Sequence, residues 1–262
     1  MLRTRIITAV ISLLALGAVL FVVPAGIAKT VIAILVVAGA WEWSGFLGLA
    51  TIAARVAYVA IIAALIAAVV FIVPGQQDLI LKIACVWWFI AFLWTFIFPT
   101  PIPRFLRWIC GALILLPLFV ALLLLYGIDP TLLLFALLIV WAADIGAYFA
   151  GKQFGRVKLA PSISPGKTWE GVFGGLVLVM LLTVVWSKID DLPLMVLLPF
   201  CLAIAALSIV GDLTVSMFKR TAGVKDSGRL FPGHGGVLDR VDSVAAAAPL
   251  FALGVVWLGL TP

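Results

Sequence analysis

Long apolar runs alternate with short polar breaks along the whole chain, and the runs share one length. Nine of them, at residues 6–23, 28–47, 56–73, 79–98, 108–126, 131–150, 169–187, 193–214 and 243–260, are close to the roughly 20 residues that a helix needs to cross a hydrocarbon core. Pro24, Pro74, Pro99, Pro101 and Pro103 lie in the breaks, where a locked φ and a missing N–H end a helix. No soluble domain, fixed-period repeat or low-complexity tail interrupts the series. The pattern predicts an all-α, polytopic membrane protein of about nine helices. Residues 1–103 would carry helices 1–4, and residues 104–262 helices 5–9 with the polar site. The first run follows Arg3 and Arg5 and precedes the small residues Gly26 and Ala28, which is also the layout of a signal peptide. It is long for such a segment and more spans follow, so a membrane helix is expected.

Composition removes the soluble alternatives, since 66% of the 262 residues are hydrophobic and 11% are charged. The net charge of +6 says less than its placement. With the N-terminus inside and the spans alternating, all but three of the 17 lysines and arginines fall on the inner side. The exceptions are Lys29, Lys82 and Lys188. The expected orientation is therefore N-terminus cytoplasmic, C-terminus outside, with a bacterial inner membrane as the setting that basic inner loops fit; an organelle membrane would fit as well. The cysteines, Cys85, Cys110 and Cys201, sit in apolar runs without metal-ligand spacing, and His234 is the sole histidine. A His-rich metal centre is excluded, and a Ser-His or Cys-His pair has one candidate.

One stretch departs from the apolar rule. Gly211 to Ser243 holds Asp212, Asp226, Asp239 and Asp242 among Lys219, Arg220, Lys225, Arg229, Arg240 and His234. Asp78, Asp129, Asp190 and Asp191 fall in outer turns, whereas Glu42, Asp144, Glu170 and the four aspartates of this stretch fall at the inner side. An ionised Asp at mid-span costs about 2.5–3.5 kcal/mol. Asp144 and Asp212 lie in apolar runs near their inner ends, a cost that a water-filled pocket relieves.

Spacing groups these residues. Asp144, Tyr148 and Lys152 recur at i, i+4, i+8 and share a helix face, as do Asp212, Ser216 and Arg220, with Lys219 beside them. Asp144 with Lys152 can also be a plain ion pair at a helix end. Asp239 and Asp242, at i and i+3, can face one pocket, and their hard oxygens suit Mg²⁺ completed by water and phosphate. A salt-bridged loop is the competing reading. Gly166-Lys167-Thr168 resembles the tail of a P-loop, but Pro161 stands where the first glycine belongs and no strand is expected before it, so a Walker fold is rejected. Ser164-Pro165 and Thr168 read as the start of the seventh helix, whose free N–H groups beside Lys167 make either a phosphate seat or an ordinary capped end.

The stretch also resembles a known family, the phosphatidate cytidylyltransferases or CDP-diacylglycerol synthases. The residues that carry the resemblance are Ser216, Phe218-Lys219-Arg220, Lys225-Asp226, Gly228, Phe231-Pro232, His234-Gly235-Gly236 and Asp239-Arg240-Val241-Asp242. Asp144 to Lys152 and Ser164 to Gly171 are similar to that family too, and Trp41-Glu42-Trp43 more weakly. The resemblance implies that CTP and phosphatidic acid give CDP-diacylglycerol and pyrophosphate. It implies metal binding at Asp212 and Asp239, with Mg²⁺ and a second metal ion, in a multi-span homodimer whose polar cavity meets cytosol and bilayer. Lys219, Arg220, His234 and Asp242 complete the expected catalytic set. Asp144, Tyr148, Lys152, Ser164, Lys167, Thr168, Glu170, Ser216, Lys225, Asp226 and Arg240 are the expected substrate-binding set. His234 either donates to a phosphate oxygen or fixes its loop. No nucleic-acid partner is expected. Two other readings stand beside this one, a CTP-dependent polyprenol or phytol-type lipid kinase and a transporter with an intramembrane carboxylate site.

Overall fold

Backbone polar groups in a bilayer must be satisfied within the protein, so apolar runs of this length have the helix as their solution. The computed structural model describes residues 2–72, 75–228, 230 and 235–260, with residues 2–6 and 9 described by backbone alone. Among these, nine α-helices follow in order: α1 Leu2–Phe21, α2 Ala25–Ser44, α3 Ile52–Phe71, α4 Gln77–Ile97, α5 Arg104–Ile128, α6 Pro130–Phe154, α7 Trp169–Ile189, α8 Leu194–Thr221 and α9 Leu238–Trp257. Eight of them, α2 to α9, are long and apolar enough to cross a membrane, and the described apolar part of α1 is the shorter Val10–Phe21. The chain is an all-α, polytopic integral membrane protein.

The bundle is built around α9. Inside its apolar window 72% of residues are buried, against 22% for α3 and α7. Ala245, Ala246, Ala247 and Ala248 are all buried in it, because small side chains let neighbouring helices close in where lipid gives no hydrophobic drive to association. It packs against α8, α5, α4 and α6. The same device joins α6 to α7. A Cβ added to Gly146 would stand 2.5 Å from the Gly174 carbonyl oxygen, and one on Gly175 would stand 2.6 Å from that of Ala143.

Three local features differ from expectation. Helix α8 continues to Thr221 rather than stopping near residue 214, and α9 begins at Leu238 rather than at 243. Hydropathy ends where charge begins, but i→i−4 bonding does not, so Lys219, Arg220, Asp239 and Asp242 all stand on helices. Between α6 and α7 lies an antiparallel hairpin, β1 Lys158–Ala160 with β2 Ser164–Thr168. Ser164 and Pro165 are therefore strand residues, and Thr168 alone caps α7, its hydroxyl accepting from Gly171 N at 3.2 Å. A strand, β1, does precede the Gly-Lys-Thr triplet, contrary to expectation, and the triplet itself lies in β2. That strand belongs to a two-stranded hairpin, so the Walker fold stays rejected.

Candidate active site

The C-terminal end of α8 and the first turns of α9 meet at a glycine. A Cβ on Gly211 would overlap the Asp242 carbonyl oxygen, so the absence of a side chain there lets α8 rest on the α9 backbone and brings Asp212 to the level of Asp242. Lys219, two turns further along α8, reaches across. Its Nζ lies 2.9 Å from Asp239 Oδ1 and 3.8 Å from Asp242 Oδ2, and all three side chains are largely buried. The i, i+3 spacing of the two aspartates puts both on the face that meets α8.

The hairpin supplies the second cation. Lys167, in β2, places Nζ 2.7 Å from Asp212 Oδ2, while the Ser216 hydroxyl donates to Asp212 Oδ1 at 3.0 Å. Arg220 is turned the other way. Its Nε donates to the Ile163 carbonyl at 3.2 Å, which ties the hairpin to α8. The sequence aligned Arg220 with Asp212, but it is Lys219, one position earlier, that enters the carboxylate cluster.

Two N–H groups of the first turn of α7 already have partners. Trp169 N donates to the Val157 carbonyl and Gly171 N to Thr168 Oγ1, while Glu170 accepts from Val157 N at 3.1 Å. Glu170 adds negative charge beside these N–H groups. The cation aimed at the carboxylates is Lys167, not the helix end.

Asp144 belongs to the same charged end, in the field of Lys167, Asp212 and Arg240. Tyr148 and Lys152 are exposed, the ammonium 5.7 Å from the ring centroid. Among the described residues no ion pair joins Asp144 to Lys152. Lys225, Asp226 and Arg240 are exposed. His234 lies outside the described residues, as do Arg229 and Phe231-Pro232-Gly233.

Asp239 is held on its other oxygen by backbone. Gly236 N and Ser227 N both donate to Oδ2 at 2.9 Å. Gly235 takes φ +82°, and a Cβ there would stand 2.5 Å from Asp239 Oδ2, so both conformation and space call for glycine. Next to this loop stands a residue that the sequence offered as an acid at the inner side and within the weaker family likeness of Trp41-Glu42-Trp43, but without a role. Glu42, at the end of α2, is buried and accepts from Val237 N, Leu238 N and Ser227 Oγ at 2.9, 2.8 and 2.8 Å. The signal that could have pointed to it was a lone carboxylate in an apolar span, between Trp41 and Trp43.

Could this donor set hold a metal? Among the described residues no three acidic, histidine or cysteine side chains converge into a cage. What is present is Asp212 on Lys167 and in the field of Asp242 and Lys219, with Asp239 and Asp242 both on Lys219, so that three carboxylates face two lysines. Hard oxygens with an uncompensated negative charge fit Mg²⁺, which commonly takes one or two carboxylates and completes its shell with water and substrate phosphate.

Comparison with known proteins agrees in family. A model of the cytidylyltransferase family matches residues 3–258. A phosphatidate cytidylyltransferase of Pseudomonas aeruginosa is 43% identical over 267 residues, covering 98% of this chain and 97% of the relative. Those of Haemophilus influenzae and Bacillus subtilis are 51% identical over 127 residues and 43% over 126. These matches cover 46% and 47% of this chain, and 44% and 46% of the relatives.

Proposed function

This chain belongs to the cytidylyltransferase family, and from that premise we propose that it transfers the cytidylyl group of CTP to phosphatidic acid, giving CDP-diacylglycerol and pyrophosphate. The observation that carries the reading is the cluster in which Lys167 and Lys219 are fixed by Asp212, Asp239 and Asp242. A phosphate oxygen of the lipid attacks the α-phosphorus of CTP. The new O–P bond forms as the bond to the β-phosphate bridging oxygen breaks, and pyrophosphate leaves with the electron pair. No protein nucleophile is required. Catalysis is then positioning and charge neutralisation.

Each residue has a part in this scheme. Lys167 exchanges Asp212 for the oxygens of the triphosphate. Lys219, buried and held on two sides, keeps Asp239 and Asp242 in place. Arg220 anchors the hairpin that carries Lys167. Asp212 and Asp239 are the residues that would hold Mg²⁺, and a second metal ion belongs to the same proposal. The metal would neutralise charge on the triphosphate and on the leaving pyrophosphate. We place the enzyme as a homodimer in a bacterial inner membrane with the site facing the cytoplasm; the asymmetry of lysine and arginine supports the orientation.

Purified protein incubated with CTP, phosphatidic acid and Mg²⁺ tests the reading. CDP-diacylglycerol and pyrophosphate are the expected products. CDP together with a phosphorylated lipid alcohol would make the protein a lipid kinase instead, and absence of turnover in a folded preparation would overturn transfer chemistry.

A further inference from the structure

Glu42 is a buried carboxylate with no lysine or arginine beside it among the described ion pairs. Burying such a group is expensive unless it is fully hydrogen-bonded, and here it is. Oε1 accepts from Val237 N, and Oε2 from Leu238 N and Ser227 Oγ. Two of these donors are the orphan N–H groups at the start of α9, a helix whose own N-cap residue, Val237, supplies no side-chain bond. A helix N-terminus favours negative charge. So α9 is capped by a residue of α2, 195 positions earlier in the chain.

The fit is close. Cβ atoms on Gly228 or Gly236 would overlap the Glu42 carboxylate, so the chain on both sides of the 229–235 segment closes onto it. Ser227 bridges two acids, its hydroxyl donating to Glu42 and its N–H to Asp239 Oδ2. Asp239 Oδ1 in turn receives Lys219. Trp43, the next residue, fixes the base of this arrangement. Its ring lies 4.9 Å from that of Phe218, the neighbour of Lys219, and its Nε1 donates to the Arg107 carbonyl at 2.9 Å.

We infer that Glu42 is a positioning residue for the transfer reaction, its carboxylate setting the direction of Asp239, and through it of Lys219, by way of Ser227 and the α9 N-terminus. The inference rests on the cytidylyl-transfer reading. Glutamine at this position keeps the shape but presents N–H₂ to donors that need an acceptor. Glu42→Gln should therefore lower kcat by about 10- to 100-fold, the usual effect of removing a group that orients a catalytic carboxylate, with KM for CTP within about threefold of wild type. Because Glu42 is placed to act through Asp239 and not on the nucleotide, kcat and KM should separate.

The test uses the full-length protein in detergent or bilayer, with turnover expressed per folded molecule. Hydrogen exchange is measured in parallel. It should quicken at Ser227 and at 236–238 in Glu42→Gln and stay unchanged in α7. Wild-type kcat per folded molecule overturns the inference, even if thermal stability falls. So does a rise in KM for CTP at constant kcat, which would make Glu42 a substrate contact. If Glu42→Gln does not fold, Ser227→Ala decides. A several-fold fall in kcat at unchanged melting temperature supports the inference, and unchanged kcat overturns it. A wild-type protein without cytidylyl transfer would sink the functional reading itself, and is a separate result.

Discussion

Replacing Lys219 by methionine keeps length and apolar stem but deletes the charge between two buried aspartates. At an effective dielectric of about 20, the attraction across 2.9 Å to Asp239 is worth about 6 kcal/mol, and that across 3.8 Å to Asp242 about 4 kcal/mol. Most of this gross attraction repays the desolvation of the three ions. The quantity that a mutation exposes is the cost of leaving the partners unpaired, about 3–5 kcal/mol when one member of a buried pair is removed. Asp239 keeps two backbone N–H donors and Asp242 keeps one, from Ser243, so the lower end applies. About 3 kcal/mol corresponds to a fall in Tm of roughly 6–12 °C for a chain of this size. The ten tryptophans allow unfolding to be followed by intrinsic fluorescence, in detergent with a chelator present. Mg²⁺ should then restore part of the loss in Lys219→Met and do less for wild type, because a divalent cation can take up the charge that the lysine carried. A variant that melts within about 2 °C of wild type in chelator, on the same scale, would refute the reasoning. It would mean that the two carboxylates do not depend on Lys219 for compensation.

Four further outcomes are expected, three from the same geometry and one from the distribution of lysine and arginine. Asp212→Asn should lose at least about 10²-fold in kcat, or roughly 2.7 kcal/mol of transition-state stabilisation, while Asp190→Asn at the far end of α7 stays near wild type; a folded, active Asp212→Asn with unaltered Mg²⁺ dependence would end the metal assignment. Lys167→Ala should raise KM for CTP more than that for phosphatidic acid, and steady-state kinetics with each substrate varied in turn will show whether it does. Gly211→Ala forces a Cβ onto the Asp242 carbonyl and should cost about 1–3 kcal/mol of stability as α8 and α9 separate, measured as a fall in Tm with loss of turnover. Cysteine placed at Lys188 should be labelled from outside the cell and cysteine at Lys225 should not, and the reverse result would invert the proposed orientation.

The helical series was legible because a bilayer leaves an apolar run of this length no other structure. The ends of α8 and α9 were less so. Hydropathy marks where lipid stops, whereas the helix stops where its hydrogen bonds do, one to two turns into the charged sequence. The hairpin of β1 and β2 left no alternating pattern, since Ser164-Pro165-Gly166-Lys167-Thr168 has no large apolar side chain to alternate with its polar ones and its strand form depends on pairing with Lys158–Ala160. The Asp239 and Asp242 pair was readable from i, i+3 spacing, which is local.

By itself, then, the sequence determined the class of the protein, the family it resembles, and the acids and bases that gather in the last third of the chain. These are properties of residue type and short-range spacing. Which lysine meets which aspartate was decided by tertiary structure. Lys167 reaches Asp212 because a hairpin folds back over α8, and Lys219 reaches Asp239 because Gly211 lets two helices touch. Glu42 shows the limit most plainly. Its partners lie 185 to 196 residues away, and only the packing of α2 beside the start of α9 makes a carboxylate in the second helix the cap of the ninth.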